Sequence, residues 1–209
     1  MMALAVIIPF KAARQKSRLS GVLDASHRKR LSLLMLESVL AAVADAGLAT
    51  ACYLVSSDKD ALGLAKRAGG TPVAETGDRG VNAAVSLGLR HVRAERYLVM
   101  PADLPMLTGS SLRDAMALSS QGAGIVISPS RQMDGTNLLL FPARNRVPLS
   151  YDRNSFWNHL EASARLGYSV GVYTGAGAVF DIDTAEDLAL LARMPKAGRT
   201  ARFAAEAAA

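Results

Sequence analysis

The chain has 209 residues, half of them hydrophobic and 20% charged, enough to bury the core of one ordinary domain and too few for a large two-domain enzyme. With 24 lysines and arginines against 18 aspartates and glutamates, the net charge of +6 favours anionic partners. The basic residues are dispersed, and no run of them is interleaved with the aromatic side chains of a single-stranded nucleic-acid platform, so nucleic acid is not the expected partner. The one cysteine, Cys52, cannot form an internal disulfide, and the opening MMALAVIIPFK has no basic region ahead of its short apolar run. Together these predict a cytoplasmic protein. No apolar stretch approaches the roughly 18 residues that span a bilayer, so no membrane segment is expected.

Residues 4–9 form a continuous apolar run closed by Pro9, the pattern of a strand buried on both faces of a parallel sheet. From Ser26 onward Leu31, Leu34, Met35, Val39 and Ala42 recur at helical spacing until Gly47. A buried strand over 51–56, a helix over 59–68 closed by Gly69-Gly70, and a helix over 82–92 follow. Next come a short strand at 96–100, a helix at 110–119, and strand-like runs at 124–128 and 136–141. The spacing then predicts a helix over 156–166, an extended stretch at 168–173 and a helix over 184–192, the last opened by a Thr184…Asp187 pair that resembles a capping box. Strands alternating with helices predict an α/β protein, a three-layer α/β/α sandwich around a mostly parallel sheet. After Met194-Pro195 the Ala-rich segment KAGRTARFAAEAAA is consistent with a helix, a loose tail or a partner contact.

Several familiar signatures are missing. Gly175 and Gly177 are not followed by a third glycine at position 180, which is Phe180, so the dinucleotide fingerprint is absent. Lys16-Ser17 lacks the upstream glycines of a P-loop; there is no G-x-S-x-G elbow, and one cysteine with three scattered histidines gives no zinc spacing. Three other segments carry candidate chemistry. The basic loop PFKAARQKSRLS follows the first buried strand, at the carboxyl end where open α/β sheets bind ligands; its Lys11, Lys16 and Arg18 are placed to neutralise phosphates, and a solvated basic loop is the plain alternative. In PADLPML, Asp103 stands after a strand between two prolines, as a Mg²⁺ ligand or as a turn residue. In FDIDT, alternation puts Asp181 and Asp183 on one side if the stretch is extended, serving a metal or capping the next helix.

In this order the three segments resemble the nucleotidyltransferases that include the molybdenum-cofactor guanylyl- and cytidylyltransferases. Adding VNAA at Val81, GTN at Gly135 and NSFWNH at Asn154, the chain is similar, from Val6 to about Arg193, to a narrower family: the 2-phospho-L-lactate and phosphoenolpyruvate guanylyltransferases that begin coenzyme F-420 biosynthesis. The resemblance implies a Rossmann-like nucleotidyltransferase fold of the GT-A type, a single domain over residues 1–195 and an Ala-rich tail over 196–209. It implies GTP binding by Lys11, Lys16, Arg18, Asn82 and Asp103, with Lys11, Arg18 and Asp103 catalytic. Mg²⁺ would be held by Asp103, Asp181 and Asp183, and the acceptor by Thr136, Asp152, Ser155 and His159. Where the family pattern has glycine shortly before the serine, this chain carries Tyr151-Asp152-Arg153, which leaves the acceptor open among 2-phospho-L-lactate, phosphoenolpyruvate and 3-phosphoglycerate. The implied partners are GTP, a small phosphorylated acid and a downstream transferase that takes the product; a homodimer is compatible with the sequence. The alternatives are a nucleotidyltransferase for a molybdopterin or a sugar phosphate, and a nucleotide- or RNA-binding regulatory module, which would bind without releasing pyrophosphate and with steep salt dependence.

Overall fold

A computed structural model describes residues 2–11, 16–144, 146–194 and 198–207. The apolar N-terminal run is strand β1, Met2–Pro9, and helices cover both of its faces: Val6 and Ile8 enter one core layer, Ala5 and Ile7 the other. Helix α1, Ala25–Asp45, opens at Asp24, whose carboxylate accepts the His27 backbone N–H. Strand β2, Cys52–Ser56, helix α2, Lys59–Arg67, strand β3, Thr71–Ala74, and helix α3, Val81–His91, complete the first half. The second half is β4, Ala94–Val99; α4, Gly109–Ser120; β5, Ile125–Pro129; β6, Thr136–Pro142; and α5, Ser155–Arg165. It ends with β7, Val170–Val172, the one-turn α6, Ala176–Val179, then α7, Ala185–Ala192, and α8, Gly198–Ala207.

The seven strands lie in the order β3-β2-β1-β4-β6-β5-β7. All pairings are parallel except those of β6, which runs antiparallel to both β4 and β5. Helices α1, α2 and α4 pack on one face and α3 and α5 on the other, which gives the expected three-layer α/β/α sandwich. The α3 layer approaches β1 closely enough that a Cβ at Gly88 would stand 2.6 Å from the Ile7 side chain, so glycine is required there.

Some short elements escaped the sequence patterns. Strand β3 is four residues long and contains Pro72, which an edge position tolerates because one N–H is dispensable there. Helix α6 is a single turn inside the stretch read as G-x-G. The Ala-rich C-terminal segment is helix α8, whose Ala201, Phe203 and Ala204 are buried against Leu31 and Met35 of α1 and Leu188 and Leu191 of α7. No described helix is long and apolar enough to cross a membrane.

The reversal of β6 matters most for the site. Because six strands share one direction, their carboxyl ends form one rim, and a strand running the other way begins at that rim. Thr136 and Asn137, the first residues of β6, are thereby placed beside the loops that leave β1, β4 and β5.

Candidate active site

Strand β1 lies between β2 and β4, so the chain leaves it in opposite directions and a crevice opens between the loops after β1 and β4. Lys16 stands in that crevice in a left-handed backbone conformation (φ 63°), its carbonyl accepting the Leu19 N–H at 2.8 Å. Its ammonium, 3% exposed, donates to Asp103 Oδ2 at 2.6 Å and to Asp183 Oδ1 at 2.7 Å. Burial works against this charge, but the two carboxylates outweigh burial and hold the Lys16 pKa above its ordinary value. Arg18 is largely exposed, its guanidinium 4.0 Å from Asp183. Residues 12–15 of the basic loop, Arg14 among them, lie outside the described residues.

Asp181 and Asp183 both face the cleft, with Ile182 between them fully buried, as their alternation predicted. The segment is held from behind by the capping box of α7. Asp187 Oδ2 accepts the backbone N–H groups of Asp183 and Thr184, Thr184 Oγ1 accepts the Asp187 N–H, and Arg131 pins the other Asp187 oxygen at 2.5 Å. Asn137 of the GTN motif donates to the Ala178 carbonyl at 3.0 Å and to Asp181 Oδ1 at 3.3 Å. Its role in orienting Asp181 was not read from the sequence. Burial first, then the charges of Asp103 and Asp183, push the Asp181 pKa up to about 6.

These residues fit a divalent cation in part. Asp103 Oδ1 is buried without a hydrogen-bond partner, and Asp103, Asp181 and Asp183 line the same cleft. Yet among the described residues no three His, Cys, Asp or Glu side chains are grouped around a metal position. The three-aspartate set expected from the sequence is therefore not assembled, because the Lys16 ammonium stands between Asp103 and Asp183. Asp103 and Asp181 fit the one or two carboxylates that Mg²⁺ takes when substrate phosphates complete its shell.

A stability prediction follows for Asp181. A folded-state pKa above the unfolded value means that the ionised carboxylate costs stability as pH rises from about 4 through 6, and the full cost is present at pH 7. In metal-free buffer, Asp181→Asn should be more stable than the parent at pH 8, by at most about 3 kcal/mol at 1.36 kcal/mol per pKa unit, and so melt higher. The gain should vanish near pH 4. Equal stability at pH 8 would contradict the cost of ionising Asp181 in the folded protein.

On the β1–α3 side lies a cavity of about 310 Å³ whose walls include Pro9, Lys11, Lys16, Gly80 and Asp103. Lys11 is not free in it. Its ammonium donates to both oxygens of Glu75, at 2.5 and 2.6 Å, with Asp78 at 3.5 Å. Glu75 follows β3, and since β3 was not recognised in the sequence, neither was this partner. Asn82, expected at the nucleoside, has its amide engaged within the protein. Its Oδ1 accepts the Tyr151 N–H at 2.9 Å and its Nδ2 donates to Asp152 at 3.0 Å, so both ends of the amide tie α3 to the loop before α5.

On the β6–α5 side a larger cleft of about 700 Å³ is bounded by Thr136, Ser155, Asp152, Arg153 and Asp134. Asn154, in the left-handed region (φ 55°), turns the chain into α5 and makes no side-chain cap, which leaves Ser155 at the helix start facing Thr136, Oγ to Oγ1, at 3.1 Å. Thr136, Ser155 and Asp152 are thus brought together as expected. His159 is not among the lining groups: it is fully buried one turn along α5, its Nδ1 2.9 Å from Thr136 Oγ1. The sequence placed it against the acceptor; packing places it behind Thr136. The two compartments share Val81, Pro101, Asp103 and Asp183, so they meet at the carboxylates.

Comparisons with known proteins bear on the family and the fold. The family model described as guanylyl transferase CofC like matches residues 4–202. The chain belongs to this family. A phosphoenolpyruvate guanylyltransferase of Rubrobacter xylanophilus is 36% identical over 194 residues, covering 91% of this chain and 94% of that one. A 2-phospho-L-lactate guanylyltransferase of Methanocaldococcus vulcanius is 31% identical over 88% of this chain and 81% of its own. Among solved structures, a Desulfovibrio desulfuricans protein described as a nucleotide-diphospho-sugar transferase superposes with a TM-score of 0.74, covering 99% of this chain and 95% of that one; at 18% identity the likeness speaks for the fold. The chain is accordingly a nucleotidyltransferase of the guanylyltransferase type, and neither the binding-module reading nor the molybdopterin or sugar-phosphate enzyme is favoured.

Proposed function

We propose that this protein transfers GMP from GTP to the phosphate of a small phosphorylated carboxylic acid, releasing pyrophosphate, as a step of coenzyme F-420 biosynthesis. The observation that carries the reading is the meeting of two unlike compartments at Asp103 and Asp183: one walled by lysines, the other by paired hydroxyls at the start of a helix. The lysine side suits the triphosphate and the hydroxyl side an acid's phosphate or carboxylate. The acceptor's phosphate oxygen attacks the α-phosphorus of GTP in line, the bond from that phosphorus to the β-phosphate bridging oxygen breaks, and pyrophosphate leaves with the electron pair. No protein nucleophile is required, since the attacking oxygen is already anionic.

Catalysis then rests on placement and charge. Lys16 stands on the triphosphate side of the carboxylates, Arg18 lines the acceptor cleft beside Asp183, where it can meet charge at the reacting phosphate, and Lys11 reaches the triphosphate on exchanging Glu75 for it. Mg²⁺ held by Asp103 and Asp181 would supply charge stabilisation at the reacting phosphate. Thr136 and Ser155 orient the acceptor, and Asp152 sets a negative rim around it. The product, an activated diester, suits consumption by a downstream transferase in the cytoplasm.

The test is pyrophosphate release from GTP and Mg²⁺ with phosphoenolpyruvate, 2-phospho-L-lactate and 3-phosphoglycerate in parallel. Release that depends on one acid supports the reading and names the acceptor. Folded protein that binds GTP and is silent with all three overturns it.

A further inference from the structure

We infer that His159 is a positioning residue that fixes the Thr136 hydroxyl as a hydrogen-bond donor into the acceptor cleft. The inference rests on the reading of that cleft as the acceptor site and adds to it the direction of a proton. The backbone N–H of Ser150 donates to His159 Nε2 at 3.0 Å, so Nε2 uses its lone pair and the neutral ring carries its proton on Nδ1. Nδ1 lies 2.9 Å from Thr136 Oγ1 and donates to it. The Ser155 hydroxyl donates to the same oxygen at 3.1 Å.

Thr136 Oγ1 therefore receives two hydrogen bonds from inside the protein, which engages both of its lone pairs. Its own proton is left to give, and Thr136 lines the cleft. A free hydroxyl rotates between donor and acceptor roles; this one has its acceptor role filled from behind. A ligand offering N–H or O–H finds no lone pair, whereas a phosphate or carboxylate oxygen finds a donor already aimed.

The surroundings keep the ring in the required form. His159 is fully buried, and burial pushes its pKa down to about 4. A proton on Nε2 would set two donors against each other at 3.0 Å. The Tyr151 ring packs edge-on at 4.9 Å and both ring nitrogens are engaged, so the imidazole has little freedom to turn.

Two substitutions separate the ring's two nitrogens. In His159→Asn the amide nitrogen takes the place of Nδ1 and can still donate to Thr136; in His159→Gln the longer amide reaches the place of Nε2, accepts from Ser150 and leaves Thr136 with the Ser155 donor alone, one lone pair open to the cleft. With phosphoenolpyruvate, or whichever of the three acids the parent enzyme uses, His159→Gln should raise the acceptor KM about tenfold and leave the GTP KM within about twofold. His159→Asn should raise the acceptor KM less than about threefold. A role in packing alone would lower the melting temperature of both variants without separating the two KM values.

The ring itself is read in the unsubstituted protein by two-bond proton–nitrogen NMR of labelled histidine. The expected spectrum shows a protonated Nδ1 and a bare Nε2 between pH 6 and 8. A proton on Nε2, or equal acceptor KM values for the two variants, overturns the inference. Absence of acid-dependent pyrophosphate release from the parent protein overturns the acceptor reading instead, and the NMR tautomer then still decides the state of His159.

Discussion

Asp103→Asn should remain folded and lose GMP transfer by about 10³-fold or more. The carboxylate serves two partners at once: Oδ2 accepts from the buried Lys16 ammonium, and Oδ1 is buried with nothing bound to it. Asparagine keeps an oxygen for Lys16, so the link between the β1 and β4 loops survives and the melting temperature should fall by only a few degrees. What it removes is negative charge at the point where the two compartments meet, and with it the capacity to hold a hard cation against substrate phosphates. A barrier raised by about 4 kcal/mol slows the rate 10³-fold. The check is kcat for pyrophosphate release at saturating Mg²⁺, with circular dichroism to confirm folding. A folded variant turning over within tenfold of the parent would remove Asp103 from the catalytic centre.

Thr136→Val should raise the acceptor KM by roughly 10- to 100-fold and leave the GTP KM unchanged, because it deletes one hydrogen bond to a charged ligand, worth about 1.5–3 kcal/mol, from the acceptor compartment alone. Valine keeps the shape of threonine on β6, so packing beneath the cleft is preserved. The His159 Nδ1–H loses its acceptor in the same variant, and the buried donor costs about 1–3 kcal/mol of stability. Initial rates with each substrate varied in turn separate the two constants. Equal changes in both KM values would mean that Thr136 does not distinguish the acceptor from the nucleotide.

The fold was legible where periodicity is strong. The unbroken apolar run of β1, the helical spacing in α1 and the Thr184…Asp187 box before α7 each correspond to a structural element. The direction of β6 was not legible, because side chains alternate the same way in a strand whichever way it runs. That reversal places Thr136 and Asn137 at the rim, so their surroundings depend on a feature that local sequence does not carry. Strand β3 was lost to its length and its proline, and Glu75 with it.

In the site, the charged motifs were recognisable from the resemblance, but their partners were not. Lys16 reaches Asp183 across 167 positions of sequence, and Lys11 reaches Glu75 across 64. Such pairings follow from strand order, which no spacing rule supplies. The resemblance puts His159 at the acceptor together with Ser155, which stands one turn earlier on the same helix. A helix face is shared by what it binds and what it packs against, and here the neighbouring β6 side chain takes the histidine.

The most direct test of the account is the fate of the α-phosphate. GTP labelled at that position should be converted, with Mg²⁺ and one of phosphoenolpyruvate, 2-phospho-L-lactate or 3-phosphoglycerate, into a labelled diester whose mass is the acid plus GMP less water, with pyrophosphate formed in equal amount. Label remaining in GTP with every acid, or appearing only as free GMP, would contradict guanylyl transfer by this protein.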